Sequence, residues 1–405
     1  MEAIYSAAAR NSGEPDLKRR LRVAHVITRL CKGGAQENTF HSVRLADKRR
    51  FDVDLISGPT AGAEGSIEDA VAAAGIGVVR VPGLVREPAP LKDLAALRRL
   101  ARLFRDRRYD IVHTHTSKAG FLGRLAARRA GVPAVMHTPH GNVFDGYFNP
   151  LATKLFETME RRAARWCDRI VELTPGGVDE HLRRGIGRPG QFCVIFSGID
   201  LEPFGEAVKR RGKTRRTLGV KPDELLVGGV GRLEPVKGFT YFVDAARRVL
   251  EAVPEARFVL AGQGSLDGPL RAQAGPLGGR FDFLGPRDDV PDLMAALDVF
   301  VLPSLNEGMG RVLLEAGAAG VARVAARVGG VPDIVRDGDT GLLVPPRDAE
   351  AVAQAVVALA REPDRRKALG EAAREHVVPE FGLDRMVMRI EALYEDVIRE
   401  KRIDI

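Results

Sequence analysis

Two glutamates separated by seven residues, Glu307 and Glu315, mark the part of the sequence best suited to chemistry. They lie in the segment 303–315, PSLNEGMGRVLLE, directly after the largely apolar run 298–302. A short apolar run bounded by turn residues is typical of a buried strand. The first glutamate therefore follows a strand, and the second lies about one turn inside the helix that the following residues predict.

The turn between this strand and this helix suits an anion. Gly308 and Gly310 bracket Met309, so the backbone can approach a ligand closely there. The helix that begins near Arg311 has first N–H groups without partners inside the helix, and such groups attract negative charge. Because helical side chains lean toward the N-terminus, both carboxylates can reach one ligand and bind its hydroxyl groups. The pattern predicts a sugar phosphate, although each carboxylate taken alone is commonplace at a helix start or on a solvated helix face.

The glutamate pair and its setting, EGMGRVLLEA, resemble the signature of family four of the retaining glycosyltransferases, which use nucleotide sugars. Further motifs resemble the same family in the same order: VHTHTSKAGFLGRLAARRAGVPAVMHTPHG, SGID, GRLEPVKG and GDTGLLVPPRD. The resemblance covers nearly the whole chain from Leu21 onward. It fails at Ala322, where proline is common, and at Arg323, where an apolar residue is common, which puts the local packing in doubt.

Strands and helices alternate through most of the 405 residues, and this alternation indicates parallel βαβ units in doubly wound sheets. Residues 201–220 interrupt it and are charged and loop-like, as expected of a linker. The resemblance implies the glycosyltransferase-B fold, an α/β architecture of two doubly wound, Rossmann-like domains facing a cleft. The predicted parts are a flexible N-terminal arm (1–20), an acceptor domain (21–200), a nucleotide-sugar donor domain (201–382) and a C-terminal helix crossing back to the first domain (383–405).

Histidines cluster where two strands of the first domain end, and ligands of such sheets bind outside the carboxyl ends of the strands. His113 and His115 end one strand, and His137 and His140 belong to the end of the next. By the resemblance His140 would contact the donor sugar, where a histidine can bind hydroxyls and assist with charge. The four histidines also raise a metal site. We do not expect one, because alternate strand residues point to opposite faces and no carboxylate is near.

The resemblance assigns the remaining donor contacts. In GRLEPVKG, Arg232 offers a planar fork and Lys237 a point charge, and two cations can neutralise a diphosphate without a metal. Arg287 is the candidate beside the nucleobase. Gly33 and Gly34 follow the first strand and would face the donor, although a plain tight turn is favoured for this pair taken alone, since GxGxxG is absent.

Net charge and composition restrict the classes of molecule that this protein is expected to bind. A formal net charge of +8 and a pI near 9.6 favour an anionic partner, unless they reflect an arginine-rich proteome. The arginine-rich helices predicted at 91–108 and 151–169 indicate either a membrane-surface face or a solvated one. Aromatic residues make up only 6%, which leaves little for base stacking, so no nucleic-acid partner is expected.

The cellular location follows from what the sequence lacks. Three scattered cysteines indicate a reducing compartment. There is no secretory signal and no apolar run long enough to span a bilayer. We therefore expect a cytoplasmic protein, peripheral on the inner face of the membrane if its basic helices bind lipid.

The resemblance to family four, taken with these features, implies a retaining, metal-independent hexosyltransferase that needs no cofactor. It would move a sugar from a UDP- or GDP-sugar to a hydroxyl of an acceptor glycan or lipid-linked saccharide, in the synthesis of cell-surface polysaccharide, lipopolysaccharide or glycolipid. The predicted catalytic residues are His140, Glu307, Arg232 and Lys237. The predicted donor contacts are Gly33, Gly34, Arg287, Gly308, Met309, Gly310, Arg311 and Glu315.

Three alternatives come from other classes. A sugar-nucleotide epimerase shares the two-domain fold, and a non-catalytic nucleotide- or nucleic-acid-binding protein would use the same charge. A nicotinamide dehydrogenase also uses strand–turn–helix phosphate sites, but its dinucleotide fingerprint is absent. Release of nucleoside diphosphate only when an acceptor is present would separate a transferase from an epimerase.

Overall fold

The computed structural model describes residues 19–60, 65–141 and 149–403. The chain divides into two compact units. The first unit ends at Gly198 and is completed by the segment that begins at Leu383, and the second unit spans Ile199–Gly382. The predicted arm at 1–20 lies outside the described residues except for its last two, of which Arg19 donates to Asp110 at 2.7 Å.

The first unit is built on a sheet of seven parallel strands in the order β3-β2-β1-β4-β5-β6-β7. The strands are β1 (Leu21–Ile27), β2 (Phe51–Ser57), β3 (Val78–Arg80), β4 (Ile111–His115), β5 (Ala134–Thr138), β6 (Arg169–Glu172) and β7 (Phe192–Val194). Its helices are α1 (Gly34–Arg44), α2 (Glu68–Ala73), α3 (Pro90–Arg107), α4 (Ser117–Ala130), α5 (Pro150–Ala164) and α6 (Pro175–Arg183). The strand order reverses between β1 and β4, which is the position where doubly wound sheets bind ligands.

Both faces of this sheet are covered, which explains why β4 and β5 are buried at every position. Helices α3 and α4 pack apolar side chains against one face. The C-terminal helix α16 (Leu383–Glu400) packs on the other through an apolar stripe that includes Met386, Ile390 and Tyr394. The C-terminal helix is therefore part of the first unit's core.

The second unit contains six parallel strands in the order β10-β9-β8-β11-β12-β13. The strands are β8 (Leu226–Val230), β9 (Arg257–Ala261), β10 (Phe281–Gly285), β11 (Val299–Leu302), β12 (Ala322–Ala326) and β13 (Leu342–Val344). Its helices are α7 (Glu202–Val208), α8 (Arg211–Thr217), α9 (Phe239–Ala252), α10 (Asp267–Ala274), α11 (Val290–Ala296), α12 (Arg311–Ala318), α13 (Val331–Ile334), α14 (Ala349–Arg361) and α15 (Pro363–Glu380). Short 3₁₀ turns of this unit occur at Pro235–Lys237 and Gly275–Arg280, and the first unit has one at Pro189–Gln191.

The loop-like linker predicted at 201–220 is wrong, because this stretch contains the helices α7 and α8. The many charged residues of this stretch predicted a solvated loop, yet two of its arginines bind it to the rest of the second unit. Arg211 and Arg215 donate to the two carboxylate oxygens of Asp298 at 2.6 and 2.9 Å. The stretch is therefore an ordered part of that unit.

Arg323, which stands where the family commonly has an apolar residue, is fully buried in β12. Its guanidinium donates to the backbone oxygen of Leu313 at 3.0 Å and twice to that of Thr340, at 3.1 and 2.6 Å. Gly317 makes room for it, since a Cβ there would lie 3.0 Å from Arg323 Nη1. Burial lowers the pKa of Arg323 to about 9. The packing that the sequence put in doubt is thus achieved by hydrogen bonds to carbonyl groups.

Candidate active site

In the second unit, the turns that follow two neighbouring strands lie against each other. Strands β8 and β11 pair in parallel, so the segments after them leave the same edge of the sheet. The N–H of Leu305 donates to the oxygen of Val236 at 2.8 Å and joins the two turns. Gly238 allows this approach, because it has a φ of 65° and a Cβ there would overlap the oxygen of Pro303. The GRLEPVKG turn therefore delivers Lys237 to the turn that carries Glu307.

Lys237 and Glu307 form an ion pair at this junction. Lys237 Nζ donates to Glu307 Oε1 at 2.5 Å, and the hydroxyl of Ser304 donates to the same oxygen at 2.7 Å. The two charged side chains are only 18% and 9% exposed, so solvent screens them less than it would a surface pair. Behind them, the N–H of Gly330 donates to the backbone oxygen of Glu307 at 3.2 Å. Lys237 and Ser304 therefore fix the side chain of Glu307, and Gly330 fixes its backbone.

Helix α12 begins directly after this turn and has an open N-terminus. Gly310 precedes its first residue with a φ of 77° and, as a glycine, has no side chain with which to cap the helix. Met309 is buried beneath the turn, whereas Arg311 and Glu315 are half-buried. The first N–H groups of such a helix carry a partial positive charge. The structure thus brings together the predicted elements 308–311, Glu315, Glu307 and Lys237 at one end of the second unit's sheet.

The two predicted arginines of this unit differ in their contacts. Arg232 is exposed, and its guanidinium makes no ion pair with any residue that the structure describes. Arg287 forms a two-pronged pair with Asp289, at 2.7 Å from Nε and 2.5 Å from Nη2. This pair raises the pKa of Arg287 and lowers that of Asp289. A role of Arg287 beside a nucleobase stays a prediction, and the carboxylate of Asp289 already occupies its fork.

In the first unit, Gly33 directly precedes α1 and Gly34 is the first residue of this helix. Gly33 has extended backbone and, as a glycine, has no side chain with which to cap this helix. A Cβ at Gly33 would lie 2.8 Å from Oε1 of Gln36. The predicted role of Gly33 and Gly34 toward the donor stays a prediction.

His140 follows β5 and contacts a histidine cluster that sequence reasoning only partly found. Its Nε2 lies 2.8 Å from Nδ1 of His115. His113 and His115 are two residues apart on β4 and share a face, and His25 on β1 is the register partner of His113. His137 points to the other face and contacts Thr114 at 3.0 Å. The sequence analysis did not include His25 in this cluster, because its place there depends on β1 and β4 being neighbours.

Three members of this cluster, His25, His113 and His115, have ring nitrogens within 4.8 Å of one another, close enough to share a metal ion. The expectation that alternate positions would keep the four predicted histidines apart is correct for His137 and wrong for His113, His115 and His140. All six of their ring nitrogens are, however, engaged in hydrogen bonds with each other, Tyr394, Thr138 and His140. A metal ion would have to replace those bonds.

Comparisons with known proteins identify the family. Residues 33–198 match the family model described as glycosyl transferase 4-like domain, and residues 224–362 match that of glycosyl transferases group 1. An Escherichia coli protein named UDP-Gal:alpha-D-GlcNAc-diphosphoundecaprenol alpha-1,3-galactosyltransferase is 32% identical over 387 residues, which are 94% of this chain and 98% of that protein. The chain belongs to the glycosyl transferases of group 1. This glycosyltransferase is also similar to the D-inositol 3-phosphate glycosyltransferase of Kribbella flavida, at 35% identity over 66% of this chain and 67% of that protein.

Solved structures confirm the predicted fold. Anabaena HepE in complex with UDP and glucose matches with a TM-score of 0.79 and 22% identity over 93% of this glycosyltransferase and 100% of that chain. WaaG, a glycosyltransferase involved in lipopolysaccharide biosynthesis, matches with a TM-score of 0.70 and 18% identity over 93% and 99% of the two chains. The glycosyltransferase therefore has the glycosyltransferase-B fold. The family models and the Escherichia coli relative confirm the resemblance to family four. Among its described residues, no helix combines the length and the apolar character needed to cross a bilayer.

Proposed function

We propose that this glycosyltransferase transfers a hexose from a UDP-sugar to a hydroxyl of a lipid-linked saccharide, with retention at the anomeric carbon and without a metal. The observation that carries the proposal is the contact of Lys237 and Ser304 with Glu307 beside the open N-terminus of α12. It combines a cation and helix N–H groups for a diphosphate with a fixed carboxylate for sugar hydroxyls. The relative from Escherichia coli, whose name specifies a UDP-galactose donor and a diphosphoundecaprenol-linked acceptor, supports the choice of substrates.

In this mechanism the leaving diphosphate is the group that the protein stabilises. Lys237, Arg232 and the first N–H groups of α12 bind it, and Glu315 binds the ribose. Preorganised charge lowers the barrier because negative charge grows on the phosphate oxygen as the bond to the anomeric carbon breaks. Glu307 holds the sugar through its hydroxyls, and His140 contributes a further hydrogen bond to the sugar.

The anomeric configuration is retained if the departing phosphate oxygen and the incoming acceptor oxygen are both bonded on the same face of the sugar. The bond from the anomeric carbon to the phosphate oxygen breaks, and the acceptor oxygen forms its bond on the same face. The proton of the acceptor hydroxyl passes to the departing phosphate oxygen. Charge and atoms then balance without a protein nucleophile, so the residues near the sugar serve to bind and orient it.

Exposed leucines of the first unit support a lipid-linked acceptor. Leu91 lies in the first turn of α3, and Leu151 and Leu155 lie near the start of α5, with 85%, 82% and 60% of their surfaces exposed. Both helices follow strands of the parallel sheet, so both begin at its carboxyl edge. Apolar side chains beside Lys92 and Lys154 suit an anionic bilayer surface. We propose that this edge docks on the membrane that carries the acceptor, in the synthesis of a cell-surface glycan.

A donor screen tests the function. UDP-, GDP- and ADP-sugars are each incubated with and without a polyprenyl-diphosphate-linked N-acetylglucosamine, in buffer with and without a chelator, and nucleoside diphosphate release is measured. We expect release from a UDP-sugar only with the acceptor, undiminished by the chelator, and a product with the donor's anomeric configuration by NMR. Sugar interconversion without acceptor would instead identify the epimerase alternative, and an inverted product would refute the mechanism above.

A further inference from the structure

Six polar side chains of the first unit form one series of hydrogen bonds, which we call the histidine chain. Its members, in order, are Thr138, His113, Tyr394, His25, His115 and His140. The five links measure 2.7, 2.7, 3.0, 2.9 and 2.8 Å in that order. The histidine chain crosses the sheet from β5 to helix α16 and back, and it ends at the residue proposed to contact the sugar.

The three histidines inside the histidine chain are neutral. His25, His113 and His115 are at most 1% exposed. Burial lowers the pKa of His25 to about 3 and holds the pKa values of the other two well below their ordinary range. A neutral imidazole has one N–H group and one bare nitrogen, so each ring donates one of its two hydrogen bonds and accepts the other. If every link holds one proton, all five bonds must point the same way.

Thr138 decides which way they point. It is 3% exposed, and among the described residues the one partner of its hydroxyl is Nε2 of His113. If the hydroxyl accepted this bond, its own O–H would be a buried donor without an acceptor, which is unfavourable. The hydroxyl therefore donates to Nε2 of His113, and Nδ1–H of His113 donates to the oxygen of Tyr394.

The direction then passes along the rest of the histidine chain. The hydroxyl of Tyr394 donates to Nε2 of His25, and Nδ1–H of His25 donates to Nε2 of His115. Nδ1–H of His115 donates to Nε2 of His140. His140 must therefore accept at Nε2, and in its neutral form it carries its proton on Nδ1.

We propose that the other five members of the histidine chain are positioning residues that hold His140 in this one tautomer and fix the orientation of its ring. His140 has a φ of 65°, in the left-handed region that non-glycine residues rarely adopt. An anchored ring keeps such a residue in a single arrangement. In this tautomer Nδ1 of His140 carries a hydrogen and does not act as a base, which suits the proposed contact of His140 with the sugar. Only this last step rests on the proposed function.

Nitrogen NMR of histidine-labelled protein measures the tautomer directly, because protonated and bare imidazole nitrogens resonate far apart. The eight histidines can be assigned with single His→Gln variants. The test compares the wild type with Thr138→Val, which removes the directing hydroxyl, and Tyr394→Phe, which breaks the histidine chain at its centre. Tyr109→Phe is the matched control, because Tyr109 is equally buried in the same unit and its hydroxyl donates to Asp54 at 2.5 Å instead.

We expect the wild-type His140 to show protonated Nδ1 and bare Nε2. In Thr138→Val and Tyr394→Phe the other tautomer should become populated, whereas Tyr109→Phe should leave His140 unchanged. A wild-type His140 protonated at Nε2, or no change in either variant, would overturn the proposal. Zn²⁺ that shifts the signals of His25, His113 and His115 together at equimolar concentration would also overturn it, since these rings would then be metal ligands.

Kinetics separates positioning from a merely structural role. Tyr394→Phe should lower kcat roughly tenfold, the loss expected when a group that orients a functional histidine is removed, with little change in KM for the UDP-sugar. Tyr109→Phe should keep the wild-type kcat. Equal kinetic losses in both variants would contradict the proposal. A protein with the expected NMR signals but no transferase activity would refute the proposed function and leave the tautomer assignment standing.

Discussion

Lys237 donates a hydrogen bond to Glu307 at 2.5 Å, although the two residues lie 70 positions apart in the chain. The contact joins the turn after β8 to the turn after β11, so it depends on the pairing of these strands. Lys237 has two roles in our account: it orients the carboxylate that holds the sugar and it neutralises the leaving diphosphate. The two side chains should therefore act as one unit.

Substitution of either partner should remove most turnover without unfolding the protein. Lys237→Ala and Glu307→Ala should each lower kcat by about a hundredfold, the range found when a preorganised charge is removed from an active site. Because the residues act together, the double variant should lose little more than the worse single variant. Steady-state kinetics and thermal unfolding measure both expectations.

Lys209→Ala is the matched control for this pair. Lys209 forms an exposed ion pair with Glu206 at 2.8 Å in the same unit. Exposed pairs of this kind contribute little, so kcat should stay at the wild-type value. Wild-type-like rates in both Lys237→Ala and Glu307→Ala would refute the site.

The buried histidines should make the first unit sensitive to acid. Burial lowers the pKa values of His25, His113, His115 and His137 in the folded state. The unfolded chain takes up these protons near pH 6.5 and the folded chain does not, so stability is lost as the pH falls below about 6.5. Each histidine contributes a slope of about 1.4 kcal/mol per pH unit in that range.

Urea unfolding at pH 7.5 and pH 5.5 measures this effect. Trp166 is the single tryptophan of the chain and belongs to the first unit, so its fluorescence reports on that unit. For His181 burial is the largest single effect and lowers the pKa, but the charge of Glu172 and the hydrogen bonds to Glu172 and Gly177 together outweigh it. The pKa of His181 is therefore raised, and this group opposes the trend. We expect a net loss of several kcal/mol at the lower pH, and an unchanged free energy of unfolding would contradict the account.

Arg323 should be needed for the stability of the second unit. Arg323→Ala removes three hydrogen bonds to backbone oxygens and leaves a cavity, so we expect a loss of about 3 kcal/mol. Arg327→Ala is the control, because Arg327 is 52% exposed and pairs with Asp337 at the surface. That variant should lose less than about 0.5 kcal/mol. Calorimetry distinguishes the two, and equal losses would contradict the assignment.

Membrane docking should depend on the exposed leucines. Leu91→Ser together with Leu151→Ser should weaken co-sedimentation with phosphatidylglycerol vesicles by at least about tenfold, because two apolar side chains no longer enter the interface. Binding should also fall with rising salt and be weak on phosphatidylcholine vesicles. Met388→Ser, which changes a 58% exposed side chain of α16, should bind like the wild type. Equal binding of both variants would refute docking through this edge.

The strand and helix pattern could be predicted because the parallel strands are short, apolar and bounded by turns. The two helices at 202–217 could not be predicted, because an arginine that pairs with the half-buried carboxylate of Asp298 has the same sequence pattern as a solvated arginine. Arg323 was unexpected for a related reason. Its site depends on carbonyl groups of Leu313 and Thr340, which lie on other segments.

In the candidate site, too, local features could be predicted from the sequence, whereas contacts between distant segments could not. Local spacing was enough to place Glu307 and the glycines before the start of α12. It could not show that Glu307 contacts Lys237, or that His140 is the end of a series of buried rings that includes His25. These contacts join segments far apart in the chain, and only the order of the strands brings them together.

The most direct test of the account is calorimetric titration of UDP and UMP into the wild type and Lys237→Ala in the presence of a chelator. If the second unit binds the diphosphate through Lys237 and the start of α12, UDP should bind the wild type without metal. The variant should then bind UDP at least about tenfold more weakly, in line with the loss of one charge-assisted hydrogen bond, and bind UMP almost unchanged. UDP binding that requires a divalent ion, or that is the same in both proteins, would contradict the account.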